Sequence, residues 1–81
     1  MQGNKQRKMK KKISFRYVAI GERFRTPYSK RAMTCIRVDA LKAEDGRIKN
    51  AEILLDHTGN QAEDSGTLIS FQQDQYVEVD R

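Results

Sequence analysis

Asp56-His57-Thr58 sets an acid, a histidine and a hydroxyl side by side, the three groups that together activate a nucleophile in many hydrolases. Consecutive residues do not face one another as such a relay must, so the run reads as a polar turn. Cys35 and His57 are the chain's single cysteine and single histidine, far apart and with no second ligand beside either, which leaves no metal site in sight. Cys35 itself reads as a small buried or half-buried strand residue rather than a nucleophile. Gly21, Gly46, Gly59 and Gly66 are too scattered to cradle a phosphate. The expectation is a non-enzymatic protein with no catalytic residue, no metal and no cofactor.

The residues left with chemistry to do are cations. In Lys5-Gln6-Arg7-Lys8-Met9-Lys10-Lys11-Lys12 six of eight positions are basic. Each Lys or Arg that neutralises a phosphate releases condensed counterions, so such a run favours salt-sensitive, sequence-tolerant nucleic-acid binding. The bias continues through Arg16, Arg23, Arg25, Lys30, Arg31 and Arg37, with Tyr28 among them as a ring that can stack on a base. The blander reading makes the run a solubilising tail and Tyr28 a loop residue under its own turn. With three tyrosines, three phenylalanines and no tryptophan, backbone contact is a better expectation than base reading.

The charge map sharpens this. Residues 1–37 carry twelve Lys/Arg against Glu22 alone, a net of +11; residues 38–81 carry four against ten acids, a net of −6, which returns the +5 of the whole chain. A split of this kind points to an anionic partner for the first half. The acids of the second half are expected on an opposite, solvated face, where they orient the domain, bind a protein or pair with the basic run of a second copy.

These residues need a scaffold, and 81 residues allow one small domain. Met1 to Lys12 is expected to be a disordered basic arm, since like charges this dense repel and bury nothing. Residues 13–81 are then the folded domain. A core of that size is marginal, and with no disulfide available a homodimer stays open as a means of support. Phe15, Val18 and Ile20 are spaced for one turn of chain over a core. Ile20, Glu22 and Phe24 alternate as in a half-buried strand that Pro27 ends. A second strand spans about Met33 to Leu41, with Ile36, Val38 and Ala40 inward and Arg37 and Asp39 outward. Asp45-Gly46 predicts a hairpin turn into a return strand from about Arg47 to Asp56, with Ile48, Ala51, Ile53 and Leu55 inward and a bulge between Ile48 and Ala51. After a polar loop from His57 to Gly66, Thr67–Gln72 and Tyr76–Asp80 complete five short strands around the turn Gln73-Asp74-Gln75. No segment has apolar residues at helical spacing, so the chain is expected to be all-β. A closed five-stranded SH3-like barrel is favoured, an OB-like barrel being the alternative.

The run Phe15, Val18, Ile20-Gly21-Glu22-Arg23-Phe24, then Ala51-Glu52-Ile53-Leu54-Leu55, Thr58-Gly59, Phe71, Asp74 and Val77-Glu78-Val79 resembles a loose group of small SH3-like barrel proteins common in bacteriophages and mobile elements. The resemblance spans residues 15–79 and implies a fold and a phage-like origin, not an activity. The loop after Gly59 is longer than that pattern, and the basic run is an addition to it.

One cysteine fits a reducing compartment. No stretch approaches the ~18 apolar residues of a membrane helix, and no apolar run follows Lys12 as export would require. A cytoplasmic protein without membrane association is expected. The leading functional expectation is electrostatic binding of DNA or RNA through Lys5, Arg7, Lys8, Lys10, Lys11, Lys12, Arg16, Arg23, Arg25, Tyr28, Lys30, Arg31 and Arg37. The alternative is a phage-type adaptor or inhibitor that binds a host protein, its acidic surface imitating nucleic acid. A structural subunit of a phage or ribonucleoprotein assembly is the third reading.

Overall fold

A computed structural model describes residues 9–26 and 32–81. Among them the chain is all-β and no helix is long and apolar enough to cross a membrane. The elements are β1 (Lys10–Ser14), a 3₁₀ turn (Phe15–Tyr17), β2 (Arg23–Arg25), β3 (Thr34–Lys42), β4 (Ile48–Leu55), β5 (Leu68–Ile69) and β6 (Tyr76–Asp80). They form one antiparallel sheet in the order β1-β6-β2-β3-β4-β5. Strands β2 to β5 are a meander; β6 then returns beside β2, and β1 closes onto the far side of β6.

Two expectations change. There are six strands rather than five, because Lys10, Lys11 and Lys12 belong to β1 and not to an arm. The strand forms because its alternation matches β6: Ile13 lies opposite Val77 on the core side, while Lys12 lies opposite Glu78 and Lys10 opposite Asp80 on the other. Opposite charges directly across a ladder favour the pairing. Residues 1–8 of the expected arm lie outside the described residues. The sheet is also open, with neither SH3-like nor OB-like closure: its edges are β1 and a β5 of only two residues.

The core lies on one face of the sheet. Phe15, Phe24 and Phe71, the chain's three phenylalanines, meet with ring centroids 5.1–5.4 Å apart, two pairs edge-on and Phe15–Phe71 stacked. Such geometries let ring edges meet ring faces favourably. Val18, Cys35, Ala51, Ile53, Ala62, Val77 and Val79 complete the buried set. Ile20, expected inside, is 61% exposed.

The faces of β3 are the reverse of those expected. Cys35 pairs with Phe24 and Arg37 with Ala51, so both point to the core side, while Ile36 lies between Arg23 and Glu52 on the other side and Ala40 is exposed. Register with β2 and β4 decides this, and a one-residue difference in register exchanges the two faces. On β4, Ala51 and Ile53 are buried and Leu55 half-buried as expected, but Ile48 is 50% exposed. The irregularity expected on β4 near Ile48 falls instead on its partner: the step Arg37 to Leu41 on β3 spans only Ala51 to Lys49 on β4. A second one lies between Thr34 and Cys35. Such bulges bend strands. The Asp45-Gly46 turn forms as expected, with Gly46 at φ 84° and its N–H donating to Ala43 O at 2.9 Å.

Beyond β5 a side chain continues the ladder. Asn50 is buried, donating Nδ2–H to Phe71 O at 2.9 Å and accepting from Phe71 N–H at 2.8 Å. It satisfies both backbone groups of Phe71 and so fixes that ring in the core.

Candidate nucleic-acid interface

The thirteen expected contact residues divide four ways. Lys5, Arg7, Lys8, Tyr28, Lys30 and Arg31 lie outside the described residues. Lys10, Lys11 and Lys12 are exposed along the edge strand β1. Arg16, on the 3₁₀ turn, and Arg23, on β2, are also exposed. Arg25 faces outward as expected but is part-buried and paired with carboxylates, whereas Arg37 turns to the core side, and for Arg37 the expectation of an outward-facing contact is corrected.

Arg25 follows from the sheet order. β6 lies between β1 and β2, so the acids of β6 stand between cations of both neighbours. Arg25 Nε donates to Glu78 at 3.1 Å, and its two Nη groups hold Asp80 at 3.0 and 2.9 Å. This bidentate fork on a carboxylate is the strongest kind of exposed ion pair. The hydrogen bond to Asp80 raises the pKa of Arg25 further, against the opposing effect of burial.

Arg37 points into the core-side opening beside the 3₁₀ turn. Its guanidinium carbon sits 4.6 Å from the centroid of Phe15, and Nη1 lies 3.0 Å from Phe15 O, 3.2 Å from Arg16 O and 2.8 Å from Val18 O. Its buried Nε has no acceptor among the described residues. The ring face attracts the cation, and the three carbonyls take up the hydrogen bonds of Nη1. Arg37, expected outward, braces the 3₁₀ turn from the core side.

Two groups that matter here are absent from the expected set. Arg81 donates to Glu22 (2.8 and 3.0 Å) and to Tyr17 O (2.8 Å). Its bond to Glu22 is the chief reason that carboxyl is held below its ordinary pKa. Tyr17 is 65% exposed next to Arg16. Both escape a reading of net charge by halves, because Arg81 ends the acidic half and Tyr17 sits in a three-residue turn.

The acidic residues do not gather on one opposite face, since Glu78 and Asp80 stand among the cations of β1 and β2. Others, Asp56, Glu63 and Asp64, line a hollow of about 470 Å³ together with His57, Ala62 and Met33. Asp56 organises its own turn, accepting from Thr58 N–H (2.9 Å), Thr58 Oγ1 (2.6 Å) and Asn60 N–H (3.0 Å), and the Thr58 hydroxyl above all lowers its pKa. His57 is an exposed turn residue. Among the described residues no group of three or more His, Cys, Asp or Glu is arranged to hold a metal ion. Cys35 is fully buried, and desolvation, with a smaller push from Asp64, raises its thiol to about 11, so it is held as the unreactive thiol.

Compared with protein-family models, with curated proteins and with solved structures, the chain matched none.

Proposed function

We propose that this chain is a non-enzymatic nucleic-acid-binding domain whose contact surface is the cationic edge of the sheet. Lys10, Lys11 and Lys12 on β1, with Arg16 and Arg23, engage phosphates, and Lys5, Arg7 and Lys8, just before β1 in sequence, extend the same track. The observation that supports this most is the position of β1. A run of three lysines occupies an edge strand exposed to solvent, continuous in sequence with three further cations. Lysines on an edge also discourage sheet-to-sheet pairing, which is sufficient reason for one or two of them. Six basic residues in eight exceed that need.

Binding of this kind depends on phosphate number and salt, and only weakly on base sequence. Arg25 and Arg37 are left out of this contact surface, Arg25 holding Glu78 and Asp80 and Arg37 turning Nη1 to three carbonyls on the core side. The SH3-like, phage-type relationship belongs to the same proposal; its support is the meander β2 to β5 with β6 returning beside β2. The test is fluorescence anisotropy with labelled DNA and RNA, comparing the full chain, a chain beginning at Met9, and Lys10→Gln/Lys11→Gln. Binding that weakens in both variants supports the reading; variants that bind as tightly as the full chain sink it.

A further inference from the structure

A 3₁₀ turn has three residues per turn, so positions i and i+3 eclipse one another. Here those positions are Phe15 and Val18, both buried, and the two residues between them, Arg16 and Tyr17, are left pointing to solvent. The backbone of this turn is held with unusual completeness. The carbonyls of Phe15, Arg16 and Val18 all accept from Arg37, and the carbonyl of Tyr17 accepts from Arg81. Four successive carbonyl oxygens are thus fixed by two guanidinium groups, one from β3 and one from the end of β6. Phe15 N–H and Arg16 N–H are tied to Gln75 O and Gln73 O at 2.8 and 3.0 Å.

What this scaffold presents is an exposed ring beside an exposed cation. Tyr17 is 65% exposed, and among the described residues its ring meets no other ring and no cation. Among the described residues the Arg16 side chain makes only a long hydrogen bond, Nε to Gln73 O at 3.4 Å. A ring carried on a backbone held this way needs only its own side chain ordered when a flat ligand stacks on it.

We propose that this turn is a stacking post for single-stranded nucleic acid: the Tyr17 ring takes the face of one base and the Arg16 guanidinium takes a neighbouring phosphate. The inference rests on the nucleic-acid reading above and adds strandedness to it. A duplex keeps its base faces stacked on one another and offers Tyr17 nothing, whereas an unpaired strand offers a π-face at every nucleotide.

The test is anisotropy with a labelled oligothymidylate and a duplex of equal length, on the full chain and on Tyr17→Ala, Tyr17→Phe and Arg16→Gln. Tyr17→Ala is expected to lose roughly tenfold on the single strand and to leave the duplex unchanged, with Tyr17→Phe close to the parent. On the single strand the salt slope stays the same in Tyr17→Ala and becomes shallower by about 0.7 in Arg16→Gln. Because Tyr17 is exposed, the urea midpoint of Tyr17→Ala should match the parent, which separates impaired binding from impaired folding. If Tyr17→Ala binds the single strand as the parent does, or weakens equally on both ligands, the stacking post is overturned while electrostatic binding stands. A parent that binds neither ligand overturns both.

Discussion

Arg16, Arg23, Arg25 and Arg37 look alike in the sequence and end in different surroundings. Arg37 replaces water for three carbonyls and covers Phe15, so Arg37→Met should leave those carbonyls short of donors. A loss of about 2–4 kcal/mol in urea unfolding is expected, given the cost of unmade buried hydrogen bonds to a charged group. Arg25→Ala removes a part-exposed fork and should cost only about 1 kcal/mol. Arg23→Gln should leave stability unchanged and weaken nucleic-acid binding, the opposite of Arg37→Met. Cys35 gives a pH test. Its folded pKa, about 11, lies above the ordinary thiol value of 9.0, so the folded state keeps its proton longer than the unfolded chain. The stabilisation is complete below pH 9 and is lost as pH rises toward 11. A thiol reagent at about pH 8 should therefore label native protein far more slowly than protein in urea. Glu22 works in the other direction: its lowered pKa contributes stability above the ordinary carboxylate range, lost as pH falls through the folded value.

At the scale of the elements, β1 has the largest consequence. Removing residues 1–8 spares β1, whereas removing residues 1–12 strips Lys10, Lys11 and Lys12 from it and bares the edge of β6 at Glu78, Val79 and Asp80. The shorter truncation should unfold at the same urea concentration as the full chain, and the longer one at a clearly lower concentration; equal midpoints would show that β1 adds nothing. The two boundaries also show what a sequence can reveal. Alternation around Phe24, Ile53, Phe71 and Val77-Glu78-Val79 was legible because each apolar position lands on the core side. Asp45-Gly46 was legible because its turn needs little context. β1 was hidden because a run of lysines reads as an arm until its partner, the acidic β6, is known. β3 read inside out because its core side carries Arg37, which hydropathy assigns to solvent, while Ile36, Val38 and Ala40 alternate on the other side. The four-carbonyl hold on the 3₁₀ turn was beyond reach, since Arg37 and Arg81 come to it from 19 and 64 residues away.

For the whole molecule, the division of charge into a basic and an acidic half is a property of the chain and not of its surface. Inserting β6 between β1 and β2 places Glu78 and Asp80 against Arg25 and opposite Lys12 and Lys10, so part of the N-terminal excess is neutralised inside the sheet. What remains outward among the described residues of the basic half is narrower than the sequence implies: the outer edge of β1, Arg16 and Arg23. In the proposed function a phosphate backbone runs along this edge. The salt dependence of nucleic-acid affinity tests this most directly, because its slope counts the cations engaged. For the full chain on duplex DNA, with eight cations engaged, the slope of log K against log salt should be about −7, shallower by about 0.9 for each phosphate left without its cation. Removing residues 1–8 should flatten it markedly. A slope near zero, or no binding at low salt, would contradict the account.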